Sequence, residues 1–171
     1  MPGGCFTSLY DWRSGIGPRE ESIGDIPLAD EKSGSIAVFE NHNNLMSETF
    51  RNVRTNLQFM LENGKNVILV TSTISGEGKS FVSSNLAISL SLLGKKVVIV
   101  GLDIRKPGLN KVFNLSRKEQ GITQFLTNPA VNLMDLVQPS DINRNLFILP
   151  GGAAAQQFID YIVGTEEEKR K

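Results

Sequence analysis

The first firm periodicity in the chain runs from about Leu45 to Leu61. Apolar residues fall at Met46, Phe50, Val53, Leu57 and Met60/Leu61, three or four apart, which predicts one amphipathic helix. Asn44 or Ser47 can cap its start, and Asn63-Gly64 closes it. Val67 to Val70 is an unbroken apolar run rich in β-branched residues, the pattern of a strand covered on both faces in a parallel sheet. Thr71 to Gly78 is a polar, glycine-bearing turn. Lys79 to Leu93 returns to helical spacing, with Val82, Leu86, Leu90 and Leu93 on one stripe and Gly94 as the stop. Val97 to Val100 predicts a second buried strand. Residues 67–100 therefore read as one strand–helix–strand unit, long enough for a right-handed parallel crossover.

The flanks are weaker. Residues 1–35 hold glycines and prolines that interrupt every apolar pattern, which predicts a leader or linker with little core of its own. Beyond Val100, Gly121 to Leu126 and Asp135 to Val137 predict short helices. Leu146 to Leu149 predicts a third strand ending at Pro150-Gly151-Gly152. Ala153 to Lys171 shows no pattern, and its charged end from Glu166 reads as a solvated tail.

Composition alters this picture in three ways. Hydrophobic residues make up 40% of the 171, enough for a core, and the 18 basic and 18 acidic residues cancel, which argues against a nucleic-acid partner. The balance is uneven: residues 41–120 carry eleven Lys/Arg against five Asp/Glu, a local surplus that suits a polyanionic ligand. Cys5 and His42 are the only residues of their types, so neither an internal disulfide nor a zinc site is expected. No apolar run approaches the roughly 20 residues that span a bilayer, and the start lacks a secretion signal. A cytoplasmic location is expected.

The chemistry concentrates in Ser72 to Ser80, between a predicted strand and a predicted helix. Gly76 and Gly78 allow successive backbone N–H groups to point inward at phosphate oxygens, and the following helix aims its positive end at the same place. Lys79 supplies a point charge for β- and γ-phosphates, and the Ser80 hydroxyl suits Mg²⁺. The match to the full phosphate-loop pattern is incomplete, because Thr73 stands where the first glycine belongs. A second loop, Gly101-Leu102-Asp103-Ile104-Arg105-Lys106-Pro107, leaves the carboxyl end of the next strand, where ligands of parallel sheets bind. Asp103 there can hold Mg²⁺, draw a proton from an attacking hydroxyl, or simply shape a turn. Arg105 and Lys106 can neutralise phosphate charge or pair with a neighbour.

Four features stand in order: Glu48-x-x-Arg51-x-x-Arg54 on a helix, a hydrophobic run, Gly-Glu-Gly-Lys-Ser, and a strand leading into Leu-Asp-Ile-Arg-Lys-Pro. From about Ile23 to Gly152 the chain resembles the cytoplasmic domain of the bacterial tyrosine kinases (BY-kinases), the capsular and exopolysaccharide autokinases. The resemblance implies an α/β fold, a P-loop NTPase-like parallel sheet flanked by helices, incomplete at the C-terminal side. The domain organisation expected is a leader or linker over 1–40, a partial P-loop kinase domain over 41–152 and a divergent tail over 153–171. The resemblance also implies ATP and Mg²⁺ as cofactors, and Mg-dependent phosphoryl transfer to tyrosine. Nucleotide contacts fall to Ser75, Gly76, Glu77, Gly78, Lys79, Ser80 and Phe81, the metal to Ser80 and Asp103, and catalysis to Lys79, Asp103 and Arg105. Glu48, Arg51 and Arg54 match a motif that mediates ring-shaped oligomers. Glu48 and Arg51 fall opposite the apolar stripe and Arg54 at its flank, so the expectation is that all three charges are free to meet another subunit. Without the resemblance they read as an ordinary solvated helix face. Expected partners are further copies or an intact homologous kinase, and membrane-anchored polysaccharide export machinery at the inner face of the plasma membrane.

The chain departs from that pattern at several positions. Gly101 stands where many members carry a first aspartate, leaving Asp103 as the sole carboxylate of its loop. The later acidic strand is missing, and Phe158 to Thr165 echoes it with Gly164 at the Asp position. The tyrosine cluster is missing too, Tyr10 and Tyr161 being the only tyrosines. A truncated member with nucleotide contacts and weak turnover is therefore expected. Two alternatives stand beside it. One is a partitioning-type ATPase, disfavoured by Ile74 where those enzymes carry a signature lysine; the other is a non-catalytic module that associates with intact kinases.

Overall fold

Phe50, Val53 and Leu57 recur on one side of the first long helix and all are buried, as their spacing predicts. The computed structural model describes residues 5–8, 22–27, 34–40, 44–61, 67–72, 76–104, 108–115 and 120–152. They fall into two units, Met1–Leu93 and Gly94–Lys171.

In the first unit, β1 (Cys5–Ser8) pairs antiparallel with β2 (Ser22–Ile26). The helix α1 (Leu45–Met60) packs on β2 and on α2 (Lys79–Ser91). Asn44 is the cap of α1, its side chain accepting from the Ser47 N–H at 2.7 Å. Ile23 and Ile26 are buried, so a stretch expected to add little core places two residues in it. Gly24 is the reason β2 can lie so close: its φ is +154°, and a Cβ there would meet Val53 Cγ2 at 3.1 Å. Asn56 Nδ2 donates to Ile23 O at 2.8 Å and ties the same two elements.

The helix α2 differs from its amphipathic expectation. Val82, Leu86, Ala87 and Ile88 are buried, but so are Ser84, Asn85, Ser89 and Ser91, so the helix is enclosed on most sides, while Leu93 is exposed. Small serines let neighbours approach closely. Gly94, with φ +77°, turns the chain out after the helix as expected.

Val67–Val70 is the main correction. It forms no strand, and Val67 and Leu69 are 90% and 72% exposed, alternating with half-buried Ile68 and Val70. A strand exists through its ladder of partner hydrogen bonds, and among the described residues none pairs with this run. The expected 67–100 crossover unit is therefore not formed by these residues.

The second unit is built on a three-stranded sheet. The strand β3 (Val97–Val100) pairs parallel and in register with β5 (Leu146–Leu149), from Val97 opposite Leu146 to Val100 opposite Leu149. The short strand β4 (Gln138–Pro139) adds antiparallel to β5, making the sheet mixed and β5 its centre. Leu146, Ile148 and Leu149 are accordingly buried, whereas Val98 and Val100 are 50% and 43% exposed, so β3 is covered on one face and not on two. Between β3 and β4 lie α3 (Gly108–Val112), α4 (Ile122–Thr127) and a 3₁₀ turn at Leu133–Leu136. The last two fall within a residue or two of the segments expected to be helical; α3 had no periodic signal. The start of α4 is fastened to the end of β5 by Ile122 N–H to Pro150 O at 2.9 Å and Thr123 N–H to Gly151 O at 3.2 Å.

Candidate nucleotide site

The phosphate-turn residues gather at the start of α2. Gly76 and Gly78 have φ of +92° and +89°, the left-handed region that glycine enters without a Cβ penalty. A Cβ on either would have nothing within 4 Å, so the surface over both is open. Gly78 is the N-cap of α2 with no side-chain cap, and its carbonyl accepts from Val82 N–H at 2.8 Å. The first-turn amides of a helix have no intrahelical acceptor, and here they follow an open turn of glycines. Lys79 and Ser80 are the first two residues of α2, half-buried. Lys79 Nζ donates to Ser72 Oγ at 2.8 Å, joining the chain before the turn to the helix after it. Open glycines, helix start and an ammonium group suit a polyphosphate.

Phe81 has a second occupation: its ring packs on Phe50 with centroids 5.9 Å apart and planes tilted by 59°. The residue that sequence reasoning missed is Asn85. It is fully buried and makes four hydrogen bonds: Oδ1 accepts from Ala37 N–H (2.7 Å) and Val38 N–H (3.1 Å), and Nδ2 donates to Ser35 O (3.1 Å) and Phe81 O (2.8 Å). The signal was an amide in a helix of small and apolar residues, where a buried polar group needs partners. No feature of the sequence singles out Ser72, one of three serines in the nine residues 72–80.

Asp103 belongs to the second unit. It is exposed, three residues past β3, in the middle of a three-residue turn closed by Ile104 N–H to Leu102 O at 3.1 Å. Gly101 N–H continues the ladder to Leu149 O at 2.9 Å, so the loop does leave the carboxyl end of a parallel strand. A Cβ on Gly101 would lie 3.1 Å from Gly151 N and 3.3 Å from Leu109 Cδ1. Ser75, Arg105, His42, Asn63-Gly64, Tyr10, Tyr161 and the tail 153–171 lie outside the described residues.

On α1, Glu48 and Arg51 form an ion pair one turn apart, both half exposed. Arg54 differs from expectation. Its Nη1 donates to Ser89 O at 2.8 Å and Ser89 Oγ at 3.2 Å. Ser89 O is among the last turn's carbonyls of α2, where a cation complements the helix dipole. Burial, and then the neighbouring Arg51 charge, lower the Arg54 pKa. Arg54 thus fastens α1 to α2, and Nε is buried without a partner. A cleft of about 210 Å³ opens here between Phe39, Glu40, Leu92, Leu93 and the two arginines.

A glycine turn opening a helix, with a parallel strand pair leading to an acidic loop, defines a P-loop NTPase-like α/β protein. A family profile described as ParA, NUBPL iron-transfer P-loop NTPase, matches residues 63–142. The chain carries a ParA-like P-loop NTPase domain, and its curated relatives are bacterial tyrosine kinases. The tyrosine-protein kinase ptk of Acinetobacter johnsonii is 36% identical over 126 residues, covering 73% of this chain and 17% of that protein. The tyrosine-protein kinase YwqD of Bacillus subtilis is 34% identical over 109 residues, covering 63% of this chain and 45% of that protein. Among solved structures, the chimerical protein CapA2B2 is similar at 31% identity and a TM-score of 0.64, covering 75% of this chain and 55% of that one. The chain spans less than half the length of both curated relatives. Among the described residues no helix is long and apolar enough to cross a membrane.

Proposed function

We propose that this chain is the ATP-binding part of a protein-tyrosine autokinase of the capsule and exopolysaccharide type. The observation that carries the reading is the pair of open, left-handed glycines, Gly76 and Gly78, leading into α2 with the Lys79 ammonium held at its start. Amides of this turn bind the phosphates, Ser75, Glu77 and Phe81 complete the contacts, and Lys79 offsets β/γ charge. The family resemblance gives Ser80 and Asp103 as the Mg²⁺ ligands, and the ion would supply charge compensation to the transferring phosphoryl group. Asp103 would draw the proton from a tyrosine hydroxyl, and Arg105 would stabilise the developing charge. Glu48 and Arg51 present the oligomer face, with Arg54 holding α1 in place behind them. The working assembly is a homo-oligomer, or a complex with an intact kinase, beside export machinery at the inner membrane face.

Calorimetry with Mg-ATP tests the site: wild type binds and Lys79→Met does not. Equal affinity in the two removes the assignment. Incubation with ATP followed by phosphotyrosine immunoblotting tests the reaction. Released phosphate without protein label favours the partitioning-type ATPase.

The crowding at Gly101 favours a second reading. With backbone and Leu109 close to where a Cβ would stand, the loop accommodates no second carboxylate easily. Losing one preorganised charge costs on the order of 10²–10³-fold in rate. A nucleotide-binding module that joins intact kinases fits this. Co-purification with an intact homologue, without phosphotransfer by this chain, supports it; a strictly monomeric protein refutes it.

A further inference from the structure

We propose that Ser72 is the positioning residue for Lys79, holding its ammonium where a nucleotide's β- and γ-phosphates arrive. The proposal rests on the nucleotide-binding reading of Gly76–Ser80. Ser72 Oγ accepts from Lys79 Nζ at 2.8 Å across seven residues of chain, and both residues are half-buried. A lysine stem has four rotatable carbons, and fixing it at the moment of binding costs affinity. A hydrogen bond made in advance removes part of that cost. The chemistry of the acceptor matters as much as its position. An ammonium has three donors, and the Ser72 hydroxyl takes one of them. A hydroxyl is uncharged, so it fixes the cation without neutralising it. A carboxylate at the same place would hold the lysine more strongly and compete with phosphate for its charge.

The test measures ATP, ADP and AMP binding to the full chain by calorimetry, with AMP read by competition. Ser72→Ala is expected to weaken ATP and ADP by about two- to tenfold, the cost of immobilising one long side chain. AMP, which lacks the phosphates that Lys79 reaches, should bind as in wild type. Ser72→Thr, which keeps the hydroxyl, should restore ATP affinity, and Ser72→Asp should weaken ATP more than Ser72→Ala does. If Ser72→Ala binds ATP as wild type does while Lys79→Met fails to bind, the positioning role is wrong and the site stands. An equal loss for AMP and ATP in Ser72→Ala marks general damage to the turn and also overturns the role. If Lys79→Met itself binds ATP normally, the nucleotide reading fails and the role of Ser72 falls with it.

Discussion

Asn85→Ala isolates a buried contact that ties residues 35–38 to α2 in the first unit. The change removes an acceptor for two buried amides, Ala37 and Val38, and a donor to Ser35 O and Phe81 O. Phe81 O keeps its place in the helix ladder and Ser35 is exposed, so the penalty falls on the two N–H groups. Each buried unsatisfied donor costs about 1–3 kcal/mol, so a loss of about 2–6 kcal/mol is expected against a typical total of about 5–15. With a urea slope of about 2 kcal/mol/M, the unfolding midpoint followed by circular dichroism should fall by about 1–3 M. Lys111→Ala, at an exposed site, should stay within about 0.5 kcal/mol. Asn85→Asp adds a pH signature. The aspartate keeps an acceptor for the amides but turns a carboxylate oxygen toward two carbonyls, which raises its folded pKa above the unfolded value of about 3.9. Between those two pKa values the folded state binds more protons, so stability falls as pH rises. The variant should lie closest to wild type near pH 4 and be weakest at pH 7. A loss under about 0.5 kcal/mol for Asn85→Ala, or an Asn85→Asp deficit that does not grow with pH, would refute the reasoning.

Other substitutions separate backbone from side-chain effects. Gly121→Ala drives a Cβ into Pro150 O and to 2.5 Å from Gly152 N, so it should lower the melting temperature through a loss of about 1–3 kcal/mol or more; an unchanged melt contradicts the packing at the end of β5. Gly78→Ala meets no atoms but keeps φ at +89°, and should cost about 1–2 kcal/mol in urea unfolding, whereas Gly34→Ala, open and without a positive φ, should be near neutral. Arg54→Met removes charged hydrogen bonds to Ser89 and should cost about 1–3 kcal/mol, while Arg51→Ala, breaking an exposed pair, should cost under about 1. Equal losses at the two arginines would mean that Arg54 does not fasten α1 to α2.

Local signals were legible in the residues. The spacing of Phe50, Val53 and Leu57 determined a helix and its buried face, because i, i+3 and i+7 share one side of any α-helix. Gly76-Glu77-Gly78-Lys79-Ser80 determined a left-handed turn opening a helix, because only glycine takes those angles cheaply. Leu146 to Leu149 read correctly as a strand. What depended on partners did not read out. Val67–Val70 has the composition of a buried strand, yet strand and burial are both properties of neighbours, and the fold supplies it with no ladder partner among the described residues. A similar apolar, β-branched run at Val97–Val100 became a strand because β5 lies beside it. Arg54 and Asn85 show the side-chain version of this. Their residue types permitted a solvated charge and an ordinary helix amide. The placement of Ser89 O, Ala37 and Val38 by distant parts of the chain turned them into internal fasteners, since a hydrogen bond needs two groups and the sequence near either one specifies only the first.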